Sequence, residues 1–143
     1  MQVEQLRQME TPNMVSNQKK FAAVILAGFM SLGASSAYAA GDAANGATLF
    51  KANICSACHT TVKGGASAIG PNLFGVSGRK AGGVAGYAYS PAMKASGVTW
   101  DDDTLAKYLM APSIIIRGNK MVFAGIKKQG DADDVVAYLA TLK

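Results

Sequence analysis

Both cysteines and the single histidine of this 143-residue chain fall within five consecutive residues, Cys55-Ser56-Ala57-Cys58-His59. Any chemistry built on thiol or imidazole must therefore sit on about one turn of backbone, and no second cluster of the same kind can exist. A structural zinc site takes four Cys or His ligands, and the chain has no fourth. A thiol–disulfide exchange pair belongs in a βαβ setting, which the sequence does not offer, and it would have no use for His59. A structural disulfide stays open for an exported protein, although a two-residue loop closes little chain and so stabilises little.

One reading uses all three side chains. Cys-x-x-Cys-His is the attachment signature of haem c: two thiols on one helical turn reach the two vinyl groups of a single porphyrin, and the next residue places an imidazole at its iron. If His59 is one axial ligand, a second histidine from this chain is excluded, which leaves methionine, lysine or an open position. Beyond residue 40 the methionines are Met93, Met110 and Met121. Met93 and Met110 fall on expected helices and read as core filler. Met121 lies between Gly118 and Gly125, where glycines allow the backbone to come close to a ligand, and it is the candidate for the sixth position. A thioether favours ferrous iron and raises the potential, and a filled sixth position denies oxygen a site.

The N-terminus reads as an address. Lys19 and Lys20 form a basic region, Phe21 to Ala34 an apolar one, and Ala37-Tyr38-Ala39 a cleavage site before Ala40, so residues 1–39 are expected to be a signal peptide, with Met14 as an alternative start. The apolar run falls short of the ~20 residues that span a bilayer and is diluted by Gly28, Ser31 and Gly33, which argues against stable membrane insertion. The expected location is the periplasm. Fourteen Lys and Arg against nine Asp and Glu, without a long basic run, do not suit nucleic acid and fit an acidic protein partner better.

Residues 40–143 are expected to form one domain, all-α, with about four helices and long loops around the cofactor. Asp42 caps a first helix in which Ala43, Gly46, Ala47 and Phe50 recur at helical spacing. Eight glycines between Lys63 and Gly86 demand a long loop with something to pack on. Ser90-Pro91 opens a short helix closed by Gly97; Asp101 caps another that carries Leu105, Tyr108 and Leu109 and stops at Pro112. Gly130-Asp131 starts the last, with Val135, Val136, Tyr138, Leu139 and Leu142 on its apolar face.

With these residues in order, the chain resembles the class I c-type cytochromes, the mitochondrial-type cytochrome c and its bacterial relatives. The match extends over nearly all of residues 40–143. Besides the attachment motif it includes Gly70-Pro71-Asn72-Leu73, Gly78-Arg79-Lys80, the Gly86 to Tyr89 segment, Trp100, Asp103-Thr104-Leu105, Tyr108-Leu109, the Lys120 to Lys128 segment and Ala137-Tyr138-Leu139. The resemblance implies a cytochrome c fold, one haem c linked through Cys55 and Cys58, and an iron held by His59 and Met121. It implies that the Pro71 carbonyl orients the His59 ring, that Arg79, Tyr89 and Trp100 meet the haem propionates, that Tyr108 lies beside the Met121 sulfur, and that Gly46, Phe50 and Leu139 pack the first helix on the last.

By the same resemblance the chain is a monomeric one-electron carrier and not an enzyme. Its partners would be redox proteins: a quinol-oxidising complex, a terminal oxidase, a reaction centre or a periplasmic dehydrogenase. The chain also departs from the family pattern. Arg117 stands where a proline usually precedes the methionine loop, one extra residue separates Phe50 from Cys55, Met93 takes a place often held by Asn, and Ser113 and Ile114 replace lysines of the docking face, where Lys120, Lys127 and Lys128 remain. A looser Met121 loop keeps a second function in view, a haem enzyme or gas sensor with an open sixth position.

Overall fold

The computed structural model describes residues 41–143; the signal peptide expected over 1–39 and the alternative start at Met14 lie outside the described residues. Six helical segments follow in order: α1 (Ala43–Ala52), α2 (Cys55–Cys58), α3 (Pro91–Ala95), α4 (Asp102–Met110), α5 (Pro112–Ile115) and α6 (Gln129–Ala140). Among the described residues the only β pairing is an isolated antiparallel bridge between Lys80 and Thr99, so the fold is all-α as expected.

Four of these segments are the expected helices, α2 is the helical turn that the attachment motif calls for, and α5 is additional. Each of the two is a single turn, too short for an apolar stripe to announce it. Pro112, expected only to stop α4, also starts α5, where its missing N–H costs nothing in the first turn. The last helix begins at Gln129, one residue before the expected glycine.

The frame is the contact between the first helix and the last. The Asp42 side chain caps α1 by accepting from the N–H groups of Ala44 (2.8 Å) and Asn45 (3.1 Å). Asp134 of α6 reaches the same end: its carboxylate accepts from the Asp42 N–H and from the Asn45 side-chain amide, both at 2.7 Å. Gly46 is the point of closest approach. A Cβ there would run into the backbone carbonyl of Asp134 and stand 3.0 Å from the Tyr138 Cβ. Phe50 and Tyr138 continue the seam with ring centroids 5.4 Å apart, and Ala132, Val135, Val136 and Leu139 are buried behind it.

The glycine-rich stretch is tied down by side chains and backbone. Asn72, itself buried, donates from its amide to the carbonyls of Val62 (2.9 Å) and Gly65 (2.7 Å) and accepts from the Phe74 N–H (2.7 Å). Backbone bonds from Gly78 to Trp100, Trp100 to Arg79 and Ala81 to Val98 join the end of this loop to the segment ahead of α4. Gly75 donates to the Leu142 carbonyl, which links the loop to the C-terminus.

One position between Phe50 and Cys55, where the chain has an extra residue against the family pattern, has an unusual backbone. Ile54, between α1 and α2, has φ 61° and ψ 17°, and it is the only non-glycine residue with positive φ among those described. A β-branched side chain is strained in this left-handed region by about 1–2 kcal/mol. Its side chain is largely exposed, so little packing offsets the strain. Replacing Ile54 by glycine is expected to raise the unfolding free energy by about 1 kcal/mol, or roughly 4–8 °C in Tm, as measured by thermal denaturation.

Candidate functional site

The one-turn helix α2 presents the cysteine–histidine motif. Cys55 and Cys58 stand at its two ends, and His59 leaves it with extended backbone after donating its N–H to the Cys55 carbonyl at 2.9 Å. The chain returns along this turn: Gly70 donates to the Cys58 carbonyl (2.7 Å) and Leu73 to the Thr60 carbonyl (2.8 Å). Residues 70–73 are thereby held against the motif.

That return fixes the imidazole twice. His59 Nδ1 lies 2.8 Å from the Pro71 carbonyl oxygen. A carbonyl can only accept, so Nδ1 carries the hydrogen, and in the neutral ring Nε2 keeps its lone pair. Burial pushes the imidazole pKa below its ordinary value, with the Pro71 bond acting in the opposite sense, so the ring is neutral at pH 7. Gly70 supplies the second restraint, since a Cβ there would come within 2.6 Å of Nδ1. The histidine ring rests on the bare face of a glycine.

Above the motif opens a cavity of about 590 Å³, within the ~300–1,000 Å³ usual for cofactor sites. Its wall brings together all nine residues singled out in the sequence: Cys55, Cys58, His59 and Pro71 from the motif and its return, Arg79, Tyr89 and Trp100 from mid-chain, and Tyr108 and Met121 beyond. Apolar residues complete it, among them Leu105 and Leu109 of α4 and Val135 and Leu139 of α6. The two cysteines are not joined to each other as a disulfide and are half-buried, with burial raising the pKa of the Cys55 thiol. Among the described residues no group of three or more His, Cys, Asp or Glu side chains is placed to hold a metal ion.

The polar residues of the wall are already partly engaged. Arg79, which lines the cavity, donates from Nη1 to the Phe74 carbonyl (2.9 Å) and from Nη2 to the Asn72 carbonyl (3.0 Å), so two of its five donor hydrogens go to the backbone. Burial lowers the pKa of this guanidinium and raises that of the neighbouring Tyr89 phenol. Trp100 and Tyr108 pack with ring centroids 4.8 Å apart, and burial pushes the Tyr108 phenol up to about 12.

Some contributors were not foreseen. Met93 belongs to the buried core, as expected, but it also lines the cavity, so two thioethers face the same space; Met110 does not line it. A helical residue at a core edge can serve both surfaces, and spacing does not separate the two roles. In the sequence Gly70 stands out only as part of a motif, since its close approach to the ring of His59, eleven residues earlier, leaves no periodic signal. Of the three lysines expected to aid docking, only Lys120 stands at the cavity wall, with its Nζ donating to the Ala88 carbonyl at 2.9 Å.

A sequence model of the cytochrome c family matches residues 43–143. The chain belongs to that family. It is 50% identical over 101 residues to the cytochrome c of Gibberella zeae, covering 71% of this chain and 94% of the relative. It is 51% identical over 90 residues to the cytochrome c2 iso-2 of Magnetospirillum molischianum, covering 63% and 92%. Among solved structures, cytochrome cH from Methylobacterium extorquens superposes with a TM-score of 0.66 at 46% identity, over 71% of this chain and 99% of that one. Membership of the cytochrome c family brings its cofactor, one covalently attached haem c, and the donor set fits it: two thiols, a neutral imidazole with an available lone pair and thioethers on one largely apolar wall.

The dependence of the imidazole on its glycine backing is open to test. Gly70→Ala is expected to force the His59 ring from its seat and to lower the stability of the holoprotein by about 1–3 kcal/mol in denaturant titration.

Proposed function

We propose that this chain is a one-electron carrier whose haem c is linked through Cys55 and Cys58 and whose iron is held by His59 and Met121. The observation that carries the reading is the combination on one cavity wall of an imidazole whose Nε2 is left free by the Nδ1 bond to Pro71, two thiols and a thioether borne on a loop. Met121 is favoured over Met93 because it sits on a short glycine-flanked loop, whereas Met93 is packed in the core at 9% exposure. The haem supplies the one-electron couple; a soft sulfur ligand keeps the potential high and closes the sixth position.

The chain's own residues set the conditions of that transfer. The Pro71 carbonyl orients the imidazole and makes it a stronger ligand. Arg79, Tyr89 and Trp100 offer donors to the propionates, which would be costly to bury unpaired. Tyr108, held protonated by its surroundings, can donate toward the Met121 side of the wall without adding charge.

Redox proteins are the proposed partners, and they would dock at the cavity mouth. There Ile54, Ile69 and Val122 are exposed beside Lys120, so contact would rest more on apolar area than on steering by charge. No helix among the described residues is long and apolar enough to cross a membrane. With the leader read over 1–39, and with bacterial relatives such as cytochrome c2 iso-2 of Magnetospirillum molischianum, export to the periplasm as a monomer is the proposed location and state.

The test is an optical spectrum of the purified holoprotein, oxidised and reduced, with and without carbon monoxide. A far-red iron–sulfur band when oxidised and indifference to carbon monoxide when reduced are expected; ready carbon monoxide binding would favour the enzyme or sensor. Met121→Ala should abolish the band, admit carbon monoxide and lower the potential by on the order of 0.1 V, within the ~0.8 V range that axial ligands command, while Met93→Leu should leave all three nearly unchanged. For the attachment, acidified organic solvent should extract the haem from a Cys55→Ala/Cys58→Ala double variant and from neither single variant.

A further inference from the structure

The loop that carries Met121 has Arg117 at its entrance, which fixes no backbone angle, and turns at Gly118 with φ 83°. Its main restraint comes from one side chain. Asn119 donates from Nδ2 to the carbonyls of Pro112 (2.9 Å) and Ile116 (2.8 Å), and its Oδ1 accepts the backbone N–H of Met121 at 2.7 Å. Pro112 and Ile116 are the first residue and the C-cap of α5, and both are buried, so the amide is anchored to a part of the fold that cannot readily shift. The Asn119 N–H itself donates to the Ile116 carbonyl at 3.1 Å. One amide thus joins the rigid end of α5 to the backbone of Met121, using both donor hydrogens and its acceptor at once.

We propose that Asn119 is the positioning residue for the sixth ligand, holding the Met121 backbone in the register that keeps its sulfur on the iron. This rests on the ligation proposed above. The amide acts through the backbone and touches neither iron nor haem in the proposal. Its geometry also assigns separate tasks to its two ends: Nδ2 sets where the loop stands on α5, and Oδ1 sets where Met121 stands on the loop. A neutral side chain able to donate twice and accept once is required, and only an amide of this length meets that requirement. Lys120, bonded to Ala88, provides a second and weaker tether from an exposed position.

The experiment uses full-length holoprotein and compares wild type, Asn119→Ala, Asn119→Asp and Met121→Ala. The far-red iron–sulfur band, carbon monoxide binding by the reduced form and the reduction potential are read for each, with far-UV circular dichroism to show that the fold is kept. Asn119→Ala is expected to weaken the band, to raise carbon monoxide affinity about tenfold or more, and to shift the potential toward that of Met121→Ala. Asn119→Asp keeps an acceptor for Met121 but sets a carboxylate oxygen against the two α5 carbonyls in place of both donors, so it too should weaken the band relative to wild type. A wild-type band, potential and inertness to carbon monoxide in Asn119→Ala would overturn the proposal. If that variant yields no folded holoprotein, Asn119→Asp decides alone: partial loss of the band supports the assignment and a wild-type band overturns it. A wild type that lacks the band and binds carbon monoxide like Met121→Ala would instead remove the ligation reading itself, and the positioning role with it.

Discussion

The close approach of α1 to α6 is the constraint on which the rest of the structure depends. Gly46 allows it by having no side chain, Asp134 holds it by bonding the capped end of α1, and Phe50 and Tyr138 extend it as an apolar seam. Two helices pressed together in this way bury one face of each and turn Phe50, Val135 and Leu139 toward the cavity. The helix pair is therefore both the core of the domain and one wall of its site, and a change in the seam is felt at the cofactor.

The other walls are loops, and their precision comes from hydrogen-bonded amides and not from regular secondary structure. Asn72 gathers three backbone groups beneath the glycine-rich stretch, Gly70 and Leu73 bond back to the attachment turn, and Asn119 does for the second half of the chain what Asn72 does for the first. Each of these side chains satisfies polar groups that would be costly to leave unpaired near an apolar cavity. Loops braced in this manner hold an imidazole and a thioether on the cavity wall with little freedom.

Much of this was legible in the sequence, for identifiable reasons. The attachment motif and Met121 stood out because the chain has so few residues able to ligate. The four longer helices followed from caps and apolar spacing, notably Asp42, Ser90-Pro91 and Asp101, all three of which cap as expected. The one-turn helix α5 did not show, because a single turn has no period to detect, whereas α2 followed from the attachment motif and not from any period. The left-handed conformation at Ile54 was hidden for another reason: the extra residue was visible, but local sequence does not say which residue turns left-handed, and an isoleucine is an unfavourable choice. The two carbonyl bonds of Arg79, the double exposure of Met93 to core and cavity and the bridging by Asn119 are products of tertiary placement, beyond what spacing can encode.

The span of the α1–α6 contact also bears on how the chain comes to be folded. Asp42 and Asp134, which bond directly, are separated by 92 positions, so the frame closes across nearly the whole domain. Closing a contact of such long range costs loop entropy that the packing of the two helices must offset. As the chain emerges, the Cys55 to His59 turn is complete long before α6 exists to press on α1. Until that last twelve-residue helix is in place, the frame beside the attachment motif cannot close.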